Sequence, residues 1–110
     1  MDIETYKIII TPTASKEIYD IYYYIFNNLD ARKAARQLMR LVEKEINNLK
    51  YLPRIHQEIE VNSGVKRKYR RIVIKRYVIL YTIDENEKII YISHMYYGLK
   101  NYLEWKKSSN

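Results

Sequence analysis

The spacing of apolar positions changes period along this chain, and each change marks a different element. Tyr6–Thr11 (YKIIIT) is a short β-branched run that predicts a first strand. Thr11 and Pro12 then predict a helix start. Thr11 serves as N-cap and Pro12 takes the first helical position, where its missing N–H costs nothing. From there Ile18, Ile21, Tyr22, Ile25 and Leu29 recur at three- and four-residue steps, one stripe of an amphipathic helix. Asn27-Asn28-Leu29-Asp30 interrupts the stripe, and Asp30 is placed to cap a second helix. In that helix Ala35, Leu38, Leu41, Val42, Ile46, Leu49 and Leu52 keep the helical period as far as Pro53. So short a link predicts an antiparallel helical hairpin.

Residues 54–66 are polar, with Ser63-Gly64 as a turn and Glu58–Val61 as a weak edge strand. At Tyr69 the period becomes two. Tyr69, Arg71, Val73 and Lys75 share one face, and Arg70, Ile72, Ile74 and Arg76 the other. Tyr77–Ile83 and Lys88–Tyr96 are nearly continuous apolar runs around an Asp84–Glu87 turn, as expected of central strands in an antiparallel sheet. Residues 103–110, with Trp105 and two lysines, read as a short helical turn and then a flexible tail. The order predicts one α+β domain over 1–110, in which a helical hairpin covers one sheet face and leaves the other for function.

Charge adds a direction to this picture. The 110 residues carry 20 Lys+Arg against 13 Asp+Glu, a net +7. Residues 1–55 contribute nine basic and seven acidic side chains, and residues 56–110 eleven and six. Lys66, Arg67, Lys68, Arg70, Arg71, Lys75 and Arg76 fall within eleven positions, a patch suited to phosphate or to an acidic protein. A solvated face is the plain alternative, but this run lies in a strand and tyrosines interrupt it. With no cysteine there is no disulfide framework, thiolate nucleophile or Cys-based zinc site. No apolar run approaches the roughly 20 residues of a membrane span, and no leader pattern opens the chain, which together point to the cytoplasm.

Candidate chemistry is sparse. His56 and His94 are the only histidines, 38 positions apart and without metal-ligand spacing. Strict alternation puts His94 on one face with Ile90, Ile92 and Tyr96, where it reads as a packed histidine, and Tyr91, Ser93, Met95 and Tyr97 on the other. Thirteen tyrosines stand against one Phe and one Trp. Tyr19, Tyr22, Tyr23 and Tyr24 suit a helix surface with wet hydroxyls, and Tyr77, Tyr81 and Tyr91 suit the core. Tyr69, Tyr96, Tyr97 and Tyr102 lie beside the cations, where rings stack on unpaired bases and Lys or Arg hold the phosphates. The residues expected to contact nucleic acid or a partner are therefore the seven clustered cations with His94, Tyr96 and Lys100.

Several segments, in order, resemble the RelE/ParE toxin superfamily. They are a strand ending in TP-x-A, a helical hairpin ending in L-x-x-L-P, a basic strand, RYVILYTIDENEKIIYI, and the ending YYGLKNY, which is similar to the H-G-x-R-D-Y ending of ParE-like members. The resemblance covers residues 6–102. It implies a helical hairpin on a four- or five-stranded, mainly antiparallel sheet. It also implies a growth-arresting toxin of a type II toxin–antitoxin module, neutralised by an acidic antitoxin and using no metal or small-molecule cofactor. ParE-like members poison DNA gyrase, and RelE-like members cut mRNA in the ribosomal A site with cationic, imidazole or tyrosine groups. On the cleavage reading Arg71, Tyr97 and Tyr102 match catalytic positions. However, Tyr97 stands where several ribonucleases have His or Arg, and Val78 where RelE has an arginine. The long hairpin and the YYGLKNY ending lean towards the gyrase side. A non-toxic binding module of the same fold is the third reading.

Overall fold

The computed structural model describes residues 5–60 and 68–98. In order these form β1 (Lys7–Ile10), α1 (Pro12–Tyr23), a π-helical turn (Tyr24–Asn28), α2 (Arg32–Asn48), β2 (Glu58–Glu60), β3 (Lys68–Ile74), β4 (Tyr77–Asp84) and β5 (Ile89–Tyr97). The five strands make one sheet in the order β1-β5-β4-β3-β2. β1 runs parallel to β5, and the other three pairings are antiparallel. The helical hairpin packs on one face, as the periodicity predicts.

Thr11 is the predicted N-cap: its Oγ1 accepts the Ala14 N–H at 3.2 Å, and Pro12 opens the helix. Ile25, Ala35, Leu38, Val42, Ile46 and Leu49 meet Ile72, Ile74, Ile79, Tyr81, Ile90, Ile92 and Met95 in the main core, with Ile18, Ile21 and Tyr22 against its margin. Asp84 makes the predicted turn, its Oδ1 accepting the Asn86 and Glu87 N–H groups at 3.1 and 3.0 Å.

The hairpin link differs from expectation. Leu29 N–H donates to Tyr24 O and Ala31 N–H to Ile25 O, so α1 widens into a π-turn instead of stopping cleanly. Asp30 then takes a left-handed conformation, φ 49°, and Ala31 becomes the N-cap of α2 without a side-chain hydrogen bond. The wider turn rotates Leu29 off the stripe and leaves it exposed. Leu52 is exposed too, because α2 ends at Asn48 and the following turns swing it outward. Pro53 is buried in its place.

A β-bulge lies in β5. Leu80 pairs with His94 but Tyr81 pairs with Ile92, which makes Ser93 the extra residue. One added residue inverts alternation. His94 therefore leaves the face of Ile90 and Ile92, and Met95 and Tyr97 join it. Tyr91 also faces away from the helices, half-buried beside Thr82 and Ser93, and is not a core residue. The Ser63-Gly64 turn, Val61 and the 103–110 tail lie outside the described residues.

Candidate functional site

The basic strand sends its cations to both sides of the sheet. Arg71 and Val73 point away from the helices, and across the strands Arg71 pairs with Leu80 and Leu80 with His94. The next row is Val73, Val78 and Tyr96. Val78 and Leu80 are buried with Ile59, and Tyr69 and Tyr96 pack against them, so this face has a small apolar cluster of its own. Arg71 Nη2 donates to Gln57 Oε1 at 3.0 Å, towards the β2 side and away from β5. Its Cα and that of His94 are two strand spacings apart, about 10 Å.

His94 is held from an unexpected direction. β1 ends at Ile10, which leaves β5 beyond Ile92 without a strand neighbour on that side. The start of α1 takes over: Thr11 N–H donates to Ile92 O at 3.1 Å, and Glu17 Oε1 accepts the Met95 N–H at 3.4 Å. The same carboxylate oxygen lies 3.1 Å from His94 Nδ1, and the imidazole stacks on Tyr96 with centroids 5.2 Å apart and planes at 14°. Burial first, then the charge of Glu17 and the neighbouring Tyr69, push the Tyr96 hydroxyl up, which keeps it protonated as a donor. Sequence reasoning missed Glu17. Its only signal is a polar residue bordering the apolar stripe at Ile18.

Arg70 faces the other way. Its guanidinium donates to His56 O at 2.8 Å and Arg54 O at 3.4 Å, and meets Glu58 at 3.4 Å, so it fastens residues 54–58 to the sheet. Lys68 is exposed, 4.0 Å from Glu58. His56 is half-buried, 3.8 Å from Glu45 and edge-on to Tyr81. Burial lowers its pKa, and Glu45 opposes that shift in part.

Lys75 and Arg76 form the two-residue β3–β4 turn, and with Tyr97 they border a separate groove on the helical side. Tyr97 is exposed and tilted against Tyr77, centroids 5.3 Å apart. Burial first and then Tyr97 raise the pKa of the Tyr77 hydroxyl. Gly98, at φ 74°, ends β5, and its N–H reaches Arg76 O at 2.6 Å. Arg71 and Tyr97 thus occupy opposite faces of the sheet. The cations that look like one patch in sequence divide: Arg71 lies on the outer face, Lys68 and Arg70 both meet Glu58, and Lys75 and Arg76 lie at the β3–β4 turn beside the helical-side groove. Lys66, Arg67, Lys100 and Tyr102 lie outside the described residues. Among the described residues no group of three or more His, Cys, Asp or Glu side chains gathers to hold a metal, and no helix is long and apolar enough to cross a membrane.

A parallel first strand, a helical hairpin and an antiparallel meander carrying a basic strand define a small α+β protein whose exposed chemistry is cationic and aromatic. Residues 8–102 match the family described as the ParE toxin of type II toxin–antitoxin system, parDE. The chain belongs to this toxin family, within the RelE/ParE superfamily. Its fold is similar to the chromosomal ParDE system from P. aeruginosa, with TM-score 0.63 and 15% identity over 86% of this chain and 98% of that one. It is also similar to the RelBE2 toxin–antitoxin complex from Mycobacterium tuberculosis, with TM-score 0.58 and 16% identity over 87% and 94% of the two chains. No curated protein sequence matches it.

Proposed function

We propose that this toxin arrests growth by binding DNA gyrase in the ParE-like manner, as a single unit over residues 1–110, and that an acidic antitoxin neutralises it. The family match supports the gyrase reading. The observation that favours binding over RNA cleavage is the placement of Arg71 and Tyr97 on opposite sheet faces. Metal-free cleavage needs a base, an acid and a cation within hydrogen-bond reach of one phosphate and its 2′-OH. Groups separated by a sheet do not share a phosphate. Val78 adds weight, being apolar and buried where a cation is wanted.

Ribosome-dependent mRNA cleavage keeps one supporting observation: His94, oriented by Glu17, shares the outer face with Arg71. The turn of Arg71 towards Gln57 weighs against that pair acting together. Brief induction without a partner distinguishes the readings. Loss of plasmid supercoiling with intact mRNA is expected. Cut mRNA at ribosomes with undisturbed supercoiling overturns the gyrase reading, and unimpeded growth points to a non-toxic binding module.

A further inference from the structure

The outward side of α2 is dominated by cations. Arg32, Arg36, Arg40 and Lys44 recur at every fourth residue, Lys33 lies among them, and all are exposed. The same helix buries Ala35, Leu38, Val42 and Ile46 on its opposite side. At 1.5 Å per residue the ridge from Arg32 to Lys44 is about 18 Å long. It is separate from the basic strand β3, and only the helical turn gathers its cations into one surface.

A solvated helix face ordinarily mixes charges of both signs, and α1 does so: Lys16 meets Asp20, four residues on, at 3.3 Å. Along the α2 ridge the neighbours four residues apart are cation beside cation, which destabilises a helix. Its first turn holds Arg32 and Lys33 and no acidic residue, against the direction of the helix dipole. Arg32 has Asp30 at 4.0 Å, but among the described residues no carboxylate lies within ion-pair distance of Lys33, Arg36, Arg40 or Lys44. The guanidiniums of Arg32 and Arg36 stand 5.3 and 5.7 Å from the Phe26 ring centroid, so two like charges are held against one aromatic side chain. Local rules broken without a compensating gain inside the fold mark a functional surface. The component missing from this one is an anion.

We propose that the α2 ridge is a sequence-independent contact for double-stranded DNA, made to the phosphates of the duplex. Charge complementarity and length select this occupant. Each strand of B-DNA presents a phosphate about every 3.4 Å of axis, so the ridge faces roughly five phosphates, one for each of its cations. The wide major groove of B-DNA admits a helix, whereas the deep and narrow major groove of double-stranded RNA does not. An anionic membrane calls for apolar side chains that insert among the headgroups, and none of the large exposed apolar residues belongs to α2. The contact goes beyond the gyrase reading and does not depend on it. On a gyrase that already holds duplex DNA, the ridge supplies a second anchor.

The test is fluorescence anisotropy of a labelled DNA duplex of arbitrary sequence, about 20 base pairs or roughly two turns long, titrated with the purified full chain. Between about 50 and 200 mM salt, log affinity should fall against log salt with a slope of about −4, roughly −0.9 for each phosphate neutralised. The triple variant Arg36→Gln, Arg40→Gln and Lys44→Gln keeps good helix formers at all three positions. It should take roughly 2–3 from the magnitude of that slope and weaken binding by about tenfold or more. Arg40→Gln alone, which keeps the test decisive if the triple variant misfolds, should take about 1 from it. A charge-matched control, Lys68→Gln, Lys75→Gln and Arg76→Gln, removes cations from β3 and the β3–β4 turn and should keep most of the slope. Absence of binding, an equal loss in the control, or a slope untouched by the ridge substitutions overturns the proposal. Equal or tighter binding to an RNA duplex of the same length assigns the ridge to RNA, and binding only to anionic vesicles assigns it to a membrane; either result overturns it too. Gyrase inhibition by the wild-type protein is scored in a separate supercoiling assay, so failure of the gyrase reading and failure of the ridge are distinguishable.

Discussion

At the scale of single residues, several side chains sit where local stability alone would not place them. Lys75 is the clearest: a non-glycine residue at φ 53° pays for its conformation. Lys75→Gly should raise stability by about 0.5–1 kcal/mol in chemical denaturation. A destabilised variant would show that the Lys75 stem makes a compensating contact. Tyr81 is fully buried, and its hydroxyl donates to Pro53 O at 2.7 Å. Desolvation pushes its pKa up to about 12, against smaller opposing effects of Arg70 and His56, so it donates across the physiological range. Tyr81→Phe keeps the ring but strands the carbonyl, and should lower stability by about 1–2 kcal/mol. His56 gives a pH signature. Burial lowers its folded pKa below the ordinary 6.5, with Glu45 offsetting part of the shift. As pH falls through 6.5 the unfolded chain therefore takes up a proton before the folded one does. Stability from this site is complete above that pH and declines towards the lower folded value. His56→Gln should flatten that part of a stability–pH curve measured with urea, and an unchanged slope would assign the effect elsewhere.

At the scale of elements, what was legible in the sequence depended on whether local residues alone decide the geometry. The start of α1 was legible because Thr11-Pro12 satisfies its own end groups within one turn. Thr11→Ala should cost about 1 kcal/mol, and Thr11→Ser, which keeps the hydroxyl that accepts from Ala14 N–H and donates to Ser93 O at 3.4 Å, should recover most of it in the same melt; equal losses would assign the effect to the γ-methyl group instead. The Asp84 turn was legible for the same reason, an acceptor serving its own loop. Asp30 looked equally good as a cap but is overruled. The core fixes where Ile25 and Ala35 must sit, and a π-turn with a left-handed Asp30 is how the intervening residues meet that demand. The Ser93 bulge was hidden as well. Nothing in IIYISHMYY marks an extra residue, because the bulge answers to β4, where Tyr81 must face the core and Leu80 the outer cluster. That one residue decides the candidate site, since it brings His94 to the outer face with Arg71 and sends Tyr97 to the helical one. The composition announced cations and tyrosines, but only the register sorted them.

At the scale of the whole molecule, distant segments are locked together and the charge is left unbalanced. Arg54 bonds to both Glu85 and the Tyr6 hydroxyl, and Tyr6 donates to Glu85 at 2.9 Å, which joins residues before β1, after α2 and after β4. Hydrogen bonding from Tyr6 is the leading cause of the lowered Glu85 pKa, so the link persists at neutral pH and is lost only as acid protonates the carboxylate through that lowered value. The strand register, not this half-exposed cluster, keeps Arg71 and Tyr97 on separate faces, and magnitudes then separate the two mechanisms. A ribonuclease deprived of a transition-state donor slows by roughly 10²–10³. A binding surface deprived of one exposed contact usually loses around 1 kcal/mol, about fivefold in affinity. Arg71→Ala and Tyr97→Ala should therefore each shift the midpoint of gyrase inhibition, read by a supercoiling assay, by no more than about tenfold. The two effects should multiply without coupling, because the residues lie on opposite faces and share no partner among the described residues. If Arg71→Ala, shown by circular dichroism to be folded, instead loses toxicity by about a hundredfold or more while gyrase inhibition stays intact, its guanidinium is acting on a transition state and the toxin is an RNase.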